Sequence, residues 1–214
     1  MKEIATGTTK DLLVWIDCEM TGLDLTIDEL IEVAVIVTDA ELEPLDSGID
    51  VLIKPSEAAL NNMSSFVRQM HTSSGLLEDL ADAGSLAEAT EQVMGYLRHH
   101  LPEPGKAPLA GNSVATDKAF LHKDMPTVTD HLHYRMIDVS SFKELARRWY
   151  PRVYFNTPQK NGGHRALADI AESIDELRYY RQILWPGKQG PTTEECRRAA
   201  AAISASATLE KLTR

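Results

Sequence analysis

Residues 12–16, LLVWI, form an unbroken apolar run that ends directly on Asp17-Cys18-Glu19. A short run with no polar position marks a strand buried on both faces. Side chains on a strand alternate between faces, so Asp17 and Glu19 point the same way and Cys18 points into the opposite layer. Two acids on one face at the carboxyl end of a central strand repel each other unless a cation lies between them. Ligands of open α/β sheets bind at that same end. The run therefore predicts a sheet whose central strand ends on a same-face pair of carboxylates, either exposed strand-end acids or ligands of a cation. Cys18 reads as a small buried hydrophobe, because no neighbour in the sequence would lower its pKa.

Further strands and helices follow from periodicity. Residues 31–37 are rich in β-branched side chains, and residues 49–53 alternate apolar and polar before Pro55. With the first run they predict a three-stranded antiparallel meander. Ser85 and Glu88 have capping-box spacing ahead of Val93, Tyr96 and Leu97. The segment LPEPGKAP is a loop, residues 109–112 a short strand and turn, and about 116–123 a helix. Met136 and Ile137 indicate another strand, and Ser141 with Glu144 suggests a second capping box opening FKELARRWY. Leu167, Ile170, Ile174, Leu177 and Tyr180 share one face of a helix over 166–184. Strands first and strand–helix units after them predict an α/β fold with a mixed central sheet. After Pro186 large apolar residues become rare and an alanine run could form a marginal helix. The expected organisation is a domain over 1–186 and a low-complexity C-terminal tail over 187–214.

Charge restricts the partners. The 22 Lys and Arg against 32 Asp and Glu give a net charge of −10. A binder of long duplex nucleic acid would carry a basic face to neutralise many phosphates, so a short anionic substrate with bound cations fits better. Cys18 and Cys196 suggest no disulfide framework, and no Cys/His cluster has zinc-site spacing. The apolar run before Asp17 is too short for a membrane span or a signal-peptide core, so a soluble, cytoplasmic protein is expected.

Two more motifs carry titratable groups. In Gly162-Gly163-His164 and the following RALAD, His164 and Asp169 would lie about 140° apart on a continuous helix. They can share a site only if His164 stands in the loop before the helix and Asp169 projects from its first turns. Asp117 lies early in a helix after a Gly-Asn-Ser turn, where acids complement the helix dipole. Asp124, Asp130 and Asp138 compete with it, and spacing alone does not rank them.

Together WIDCEMTGL, GNSVATDKAFL, HYRMIDVSSFKELARRW and GGHRALADI resemble the oligoribonucleases, a branch of the DEDD exonuclease superfamily with a histidine-type third motif. The resemblance runs over about 12–185 and carries four motifs in order. It implies a ribonuclease-H-like mixed five-stranded sheet flanked by helices. It also implies metal ligands at Asp17, Glu19, Asp117 and Asp169, and a general base at His164. The implied enzyme is a metal-dependent 3′-to-5′ exoribonuclease that hydrolyses very short single-stranded RNA, especially dinucleotides, to mononucleotides. Two Mg²⁺ or Mn²⁺ ions roughly 3.5–4 Å apart would activate water and clamp the scissile phosphate, and hard oxygen ligands suit such ions. His164 has an unperturbed pKa near neutrality, as a base for water needs.

Substrate contacts come from the same resemblance. Leu23 matches a hydrophobic wedge, and Phe66 matches an aromatic position where relatives often have tryptophan. Phenylalanine still stacks, with less area and no indole N–H. Tyr134, Arg135 and Ser140 match residues that the family uses from the partner subunit to cap the 5′ phosphate, with Ser113 nearby; arginine suits bidentate phosphate binding. Such a cap would exclude longer RNA and make the site depend on a homodimer. His71 is a further substrate-contact candidate. A phosphatase with an aspartyl nucleophile would usually have aspartate where Glu19 stands, and it leaves His164 without a role.

Overall fold

A computed structural model describes residues 11–159, 163, 165–185, 187 and 190–205. The apolar run and its acids form one strand, β1 (Leu13–Met20). Strands β2 (Leu30–Thr38) and β3 (Ile49–Leu52) follow, each antiparallel to the one before, as the meander predicts. Helices α1 (Glu57–Asn62), α2 (Ser65–Ser73) and α3 (Leu76–Asp79) and a 3₁₀ turn (Leu80–Asp82) lead into α4 (Leu86–His100). Strand β4 (Pro108–Gly111), α5 (Ala115–Asp124), α6 (Pro126–His131) and β5 (His133–Asp138) come next. The chain continues through α7 (Val139–Trp149), α8 (Pro151–Tyr154), α9 (Ala166–Leu184) and α10 (Thr193–Ala205). Both β4 and β5 run parallel to β1, giving a mixed five-stranded sheet in the order β3-β2-β1-β4-β5 flanked by helices.

Alternation sorts β1 as the sequence predicts. Val14, Ile16 and Cys18 enter the main core with Val33, Val35 and Val37 of β2 and with Val93, Leu97, Phe120 and Leu121 from α4 and α5. Trp15 faces the other way, fully buried, with its indole N–H donating to Thr38 Oγ1 at 3.0 Å. Every residue of β2 is buried, so β1 and β2 are the strands covered on both sides. Asp17 and Glu19 thus emerge at the carboxyl end of a strand with no freedom to slip, because a one-residue shift would put both acids in the core.

The helix ends show where local patterns held and where they did not. Ser85 and Glu88 form the expected capping box on α4. The box expected from Ser141 and Glu144 does not form: α7 begins earlier, and Asp138 caps it by accepting the Ser140 amide at 2.9 Å. Glu144 instead pairs with Arg147 and Arg148 on the exposed face of the helix. An aspartate ending a strand outcompetes a serine already inside the helix, where its hydroxyl cannot reach a free first-turn amide. The chain forms two units, Met1–Tyr179 and Tyr180–Arg214, and all the site residues named above lie in the first. In the second, the alanine run makes α10. No helix among the described residues is long and apolar enough to cross a membrane.

Candidate active site

Three of the predicted carboxylates converge. Asp17 and Glu19 leave β1 on one face, and Asp169 projects from the first turn of α9. One carboxylate oxygen from each lies within 4.8 Å of the other two. Asp117, in the first turn of α5, is buried and accepts the backbone N–H of Cys18 at 3.0 Å, which binds α5 to the strand end between the two acids. Its competitors are engaged elsewhere: Asp138 caps α7 and accepts the Ser113 amide at 3.0 Å, Asp124 pairs with Lys123 at 3.2 Å, and Asp130 is exposed. Helix α9 begins at Ala166, so Asp169 stands on the helix. His164 itself lies outside the described residues.

The carboxylates of the cluster are crowded and poorly solvated. Burial raises the Asp17 pKa to about 9, with Asp117, Asp169 and Glu19 adding repulsion. Burial raises Glu19 to about 8, helped by Asp169, Glu32 and Asp117 and opposed by Arg165. Asp117 is raised to about 6, again chiefly by burial, while the Cys18 amide pulls the other way. Crowded carboxylates of this kind hold their protons or share a cation, and a set made only of hard oxygens suits a divalent one.

Around the cluster the substrate-contact candidates fall into three groups. Leu23 and Phe66 are exposed at 74% and 75%, which leaves both apolar side chains available to a base. Leu23 sits on a loop organised by Asp28, a buried residue that sequence reading did not single out. The Asp28 carboxylate accepts the Thr21 hydroxyl and the Asp24 amide, both at 2.9 Å, while Lys123 Nζ donates to its carbonyl at 2.7 Å. A Cβ on Gly22 would come within 2.3 Å of Asp28 Oδ2, so a side chain here would have to push the Asp28 carboxylate out of its hydrogen bonds.

The second group joins at the β4–α5 turn. Ser113, at φ +53°, gives its amide to Ser140 Oγ at 2.9 Å, and the two hydroxyls are 3.1 Å apart within one chain. Asn112 accepts from Ser140 Oγ at 3.1 Å and donates to Ser173 Oγ at 2.9 Å, tying this turn to α9. Tyr134 and Arg135 stand apart from them on β5, the edge strand, with Arg135 Nε donating to the Tyr134 hydroxyl at 3.0 Å. His71 forms the third group. It is fully buried, with Nε2 at 2.9 Å from the Met20 carbonyl and Nδ1 at 3.9 Å from the Glu19 carboxylate. It backs the cluster rather than facing solvent.

Glu32 and Arg165 were not found from the sequence. Glu32 is fully buried in β2, directly across from Glu19, and its Oε1 accepts Arg165 Nε at 2.8 Å. One acid in LIEVAVIVT gives no local signal; only the β1–β2 register reveals its place.

The chain matches the family model described as Exonuclease, RNase_T, over residues 14–177. It is 60% identical to an oligoribonuclease of Streptomyces griseus over 92% of this chain and 98% of the relative. An oligoribonuclease of Mycobacterium bovis is 54% identical over 91% of each. Among solved structures, the fold is similar to E. coli exonuclease I in a zinc-bound complex with single-stranded DNA, with a TM-score of 0.64 at 13% identity. Exonuclease I of Methylocaldum szegediense gives 0.59 at 18%. The chain spans 41% of the length of each of those two structures, and 81% of this chain is covered. With the motifs, the sheet order and the carboxylate cluster all in place, the chain belongs to the exonuclease family and, within it, to the oligoribonucleases.

Proposed function

We propose that this protein removes mononucleotides from the 3′ ends of very short single-stranded RNAs, above all dinucleotides. The observation that carries this reading is the convergence of Asp17, Glu19 and Asp169 within 4.8 Å at the end of β1. In it these three carboxylates and Asp117 hold a pair of Mg²⁺ or Mn²⁺ ions. When bound, such ions supply Lewis acidity, lowering the pKa of a coordinated water and neutralising charge on the attacking and leaving oxygens.

The chain's own residues do the rest. His164 takes the proton from the attacking water. The water oxygen forms a bond to phosphorus, the bond from phosphorus to the 3′ oxygen breaks, and that oxygen leaves as an alkoxide that takes a proton from solvent water to become the 3′ hydroxyl. Leu23 and Phe66 hold the two bases, by wedging and stacking. Tyr134, Arg135 and Ser140, with Ser113 nearby, receive the 5′ phosphate as a cap that depends on a second copy of the chain. Two features support the use of a second copy: Tyr134 is 73% exposed on the edge strand β5, and Leu145 and Trp149 of the adjoining α7 are exposed as well. The net charge of −10 agrees with a substrate carrying few phosphates.

Incubation of a 5′-phosphorylated RNA dinucleotide with the protein and Mn²⁺ tests the reading. The expected products are mononucleotides, with no turnover in excess chelator and none in Asp169→Ala. Undiminished hydrolysis by folded Asp169→Ala would remove the cluster as the active site.

A further inference from the structure

Glu32 is a fully buried carboxylate that no step of the hydrolysis uses. The antiparallel register of β1 and β2 sets it directly opposite Glu19. Like charges across a strand pair are destabilising, and a buried charge needs a partner and hydrogen bonds for all its lone pairs. Glu32 has them. Its Oε1 accepts Arg165 Nε at 2.8 Å, and its Oε2 accepts the backbone N–H of Ala166 at 3.0 Å. With both oxygens engaged, Glu32 does not act as a cation ligand in this arrangement.

Its two donors identify its role. Ala166 is the first residue of α9, and a first-turn amide has no acceptor inside its own helix. Glu32 supplies that acceptor from β2, more than a hundred residues away in sequence. The same carboxylate holds Arg165, whose guanidinium also reaches Asp79 at 2.8 Å and Asp50 at 3.8 Å. One helical turn later the Asp169 amide donates to the Arg165 carbonyl at 3.0 Å. A continuous line of bonds thus runs from the strand that pairs with β1, through Glu32 and Arg165, to the turn that carries Asp169. His164 is covalently attached to Arg165.

We propose that Glu32 and Arg165 are a positioning pair that fixes the first turn of α9 against the sheet, so that Asp169 meets Asp17 and Glu19 at the distance a cation requires. This rests on the reading of the cluster as a cation site. An apolar pair of similar volume would hold the helix about as stably, but packing does not specify direction as a guanidinium fork and two-point acceptance do. A shift of about 1 Å at a reacting centre costs orders of magnitude in rate, which gives such direction its value here.

Glu32→Gln, Arg165→Lys and the double variant test it. Glutamine keeps the shape of Glu32 but can accept only through its carbonyl oxygen, and lysine keeps the charge of Arg165 without the fork. The first readout is Mn²⁺ affinity by electron paramagnetic resonance, which needs no turnover. Each single variant is expected to weaken binding about tenfold or more, the scale on which residues behind a ligand act. Amide exchange of residues 166–169 should speed up while β1 and β2 keep their protection. On the dinucleotide, kcat should fall with KM held within about twofold, and the double variant should be no worse than the worse single, since the residues act as a unit. Mn²⁺ affinity within about twofold of the unmodified protein in either folded variant would overturn the positioning role. An unmodified protein that binds Mn²⁺ without hydrolysing RNA would overturn the substrate reading alone. One that binds no Mn²⁺ would overturn both.

Discussion

Replacing Asp17 by asparagine should abolish activity and yet stabilise the cation-free protein. Asp17 has its pKa carried from 3.8 to about 9 by burial and by four neighbouring carboxylates, Asp117, Asp169, Glu19 and Glu32. A folded-state pKa above the unfolded value means that the stability is fully present below about pH 4 and is lost as pH rises towards about 9. Taken alone, this shift would cost roughly 6 kcal/mol at pH 8. Asp17 keeps some contact with solvent, and its neighbours share protons with it, so most of that figure is relieved; asparagine also brings amide hydrogens that need partners. A gain of about 2 kcal/mol remains, or roughly 4–8 °C in melting temperature for a domain of this size. In EDTA at pH 8, Asp17→Asn should melt above the unmodified protein, and the gap should close as pH is lowered to about 4. Saturating Mn²⁺ should reverse the order, since occupancy at a hundred times Kd stabilises the unmodified protein by about 2.7 kcal/mol. A cation-free Asp17→Asn protein that melts at or below the unmodified one at pH 8 would refute the claim that the cluster stores repulsion.

Other variants probe the surroundings of the cluster. Phe66→Ala should raise KM for a dinucleotide about 5- to 100-fold with kcat little changed, the range expected for one lost base stack, and Phe66→Trp should lower it; steady-state kinetics decides. Arg135→Ala should erase the preference for a 5′-phosphorylated over an unphosphorylated dinucleotide, read as a ratio of kcat/KM values. Gly22→Ala forces Asp28 aside and should raise KM by displacing Leu23, with the melting temperature lowered by a few degrees. We propose that residues 187–214 are a tail outside the exonuclease domain, so a chain ending at 186 should keep its dinucleotide kcat/KM; its loss would assign the tail a part in the site.

The parts of the site that were legible in the sequence are those fixed by local periodicity. A strand has a period of two, so Asp17 and Glu19 could be placed on one face before any partner strand was known. The apolar stripe of α9 started the helix close enough to His164 to separate it from Asp169. Asp117 was different: three acids nearby shared its local signal, so only the resemblance preferred it, and its place follows from α5 folding back onto the Cys18 amide. Glu32 was invisible because its meaning depends on register with β1, and register is a property of two segments. The missed cap on α7 has a related cause, since Asp138 belongs to strand and helix at once and only the strand's end shows which serine lies inside the helix. The burial of His71 behind Glu19 follows from how α2 packs, which its own sequence does not state.

Length preference tests the central claim most directly. Initial rates in Mn²⁺ on a 5′-phosphorylated RNA dinucleotide and on a 20-mer of the same composition, at equal concentrations of 3′ ends, compare a substrate that the proposed 5′-phosphate cap accommodates with one that it excludes. The dinucleotide should be consumed much the faster, and the 20-mer should scarcely shorten. Equal rates on the two would contradict the reading of this site as one built for the shortest RNAs.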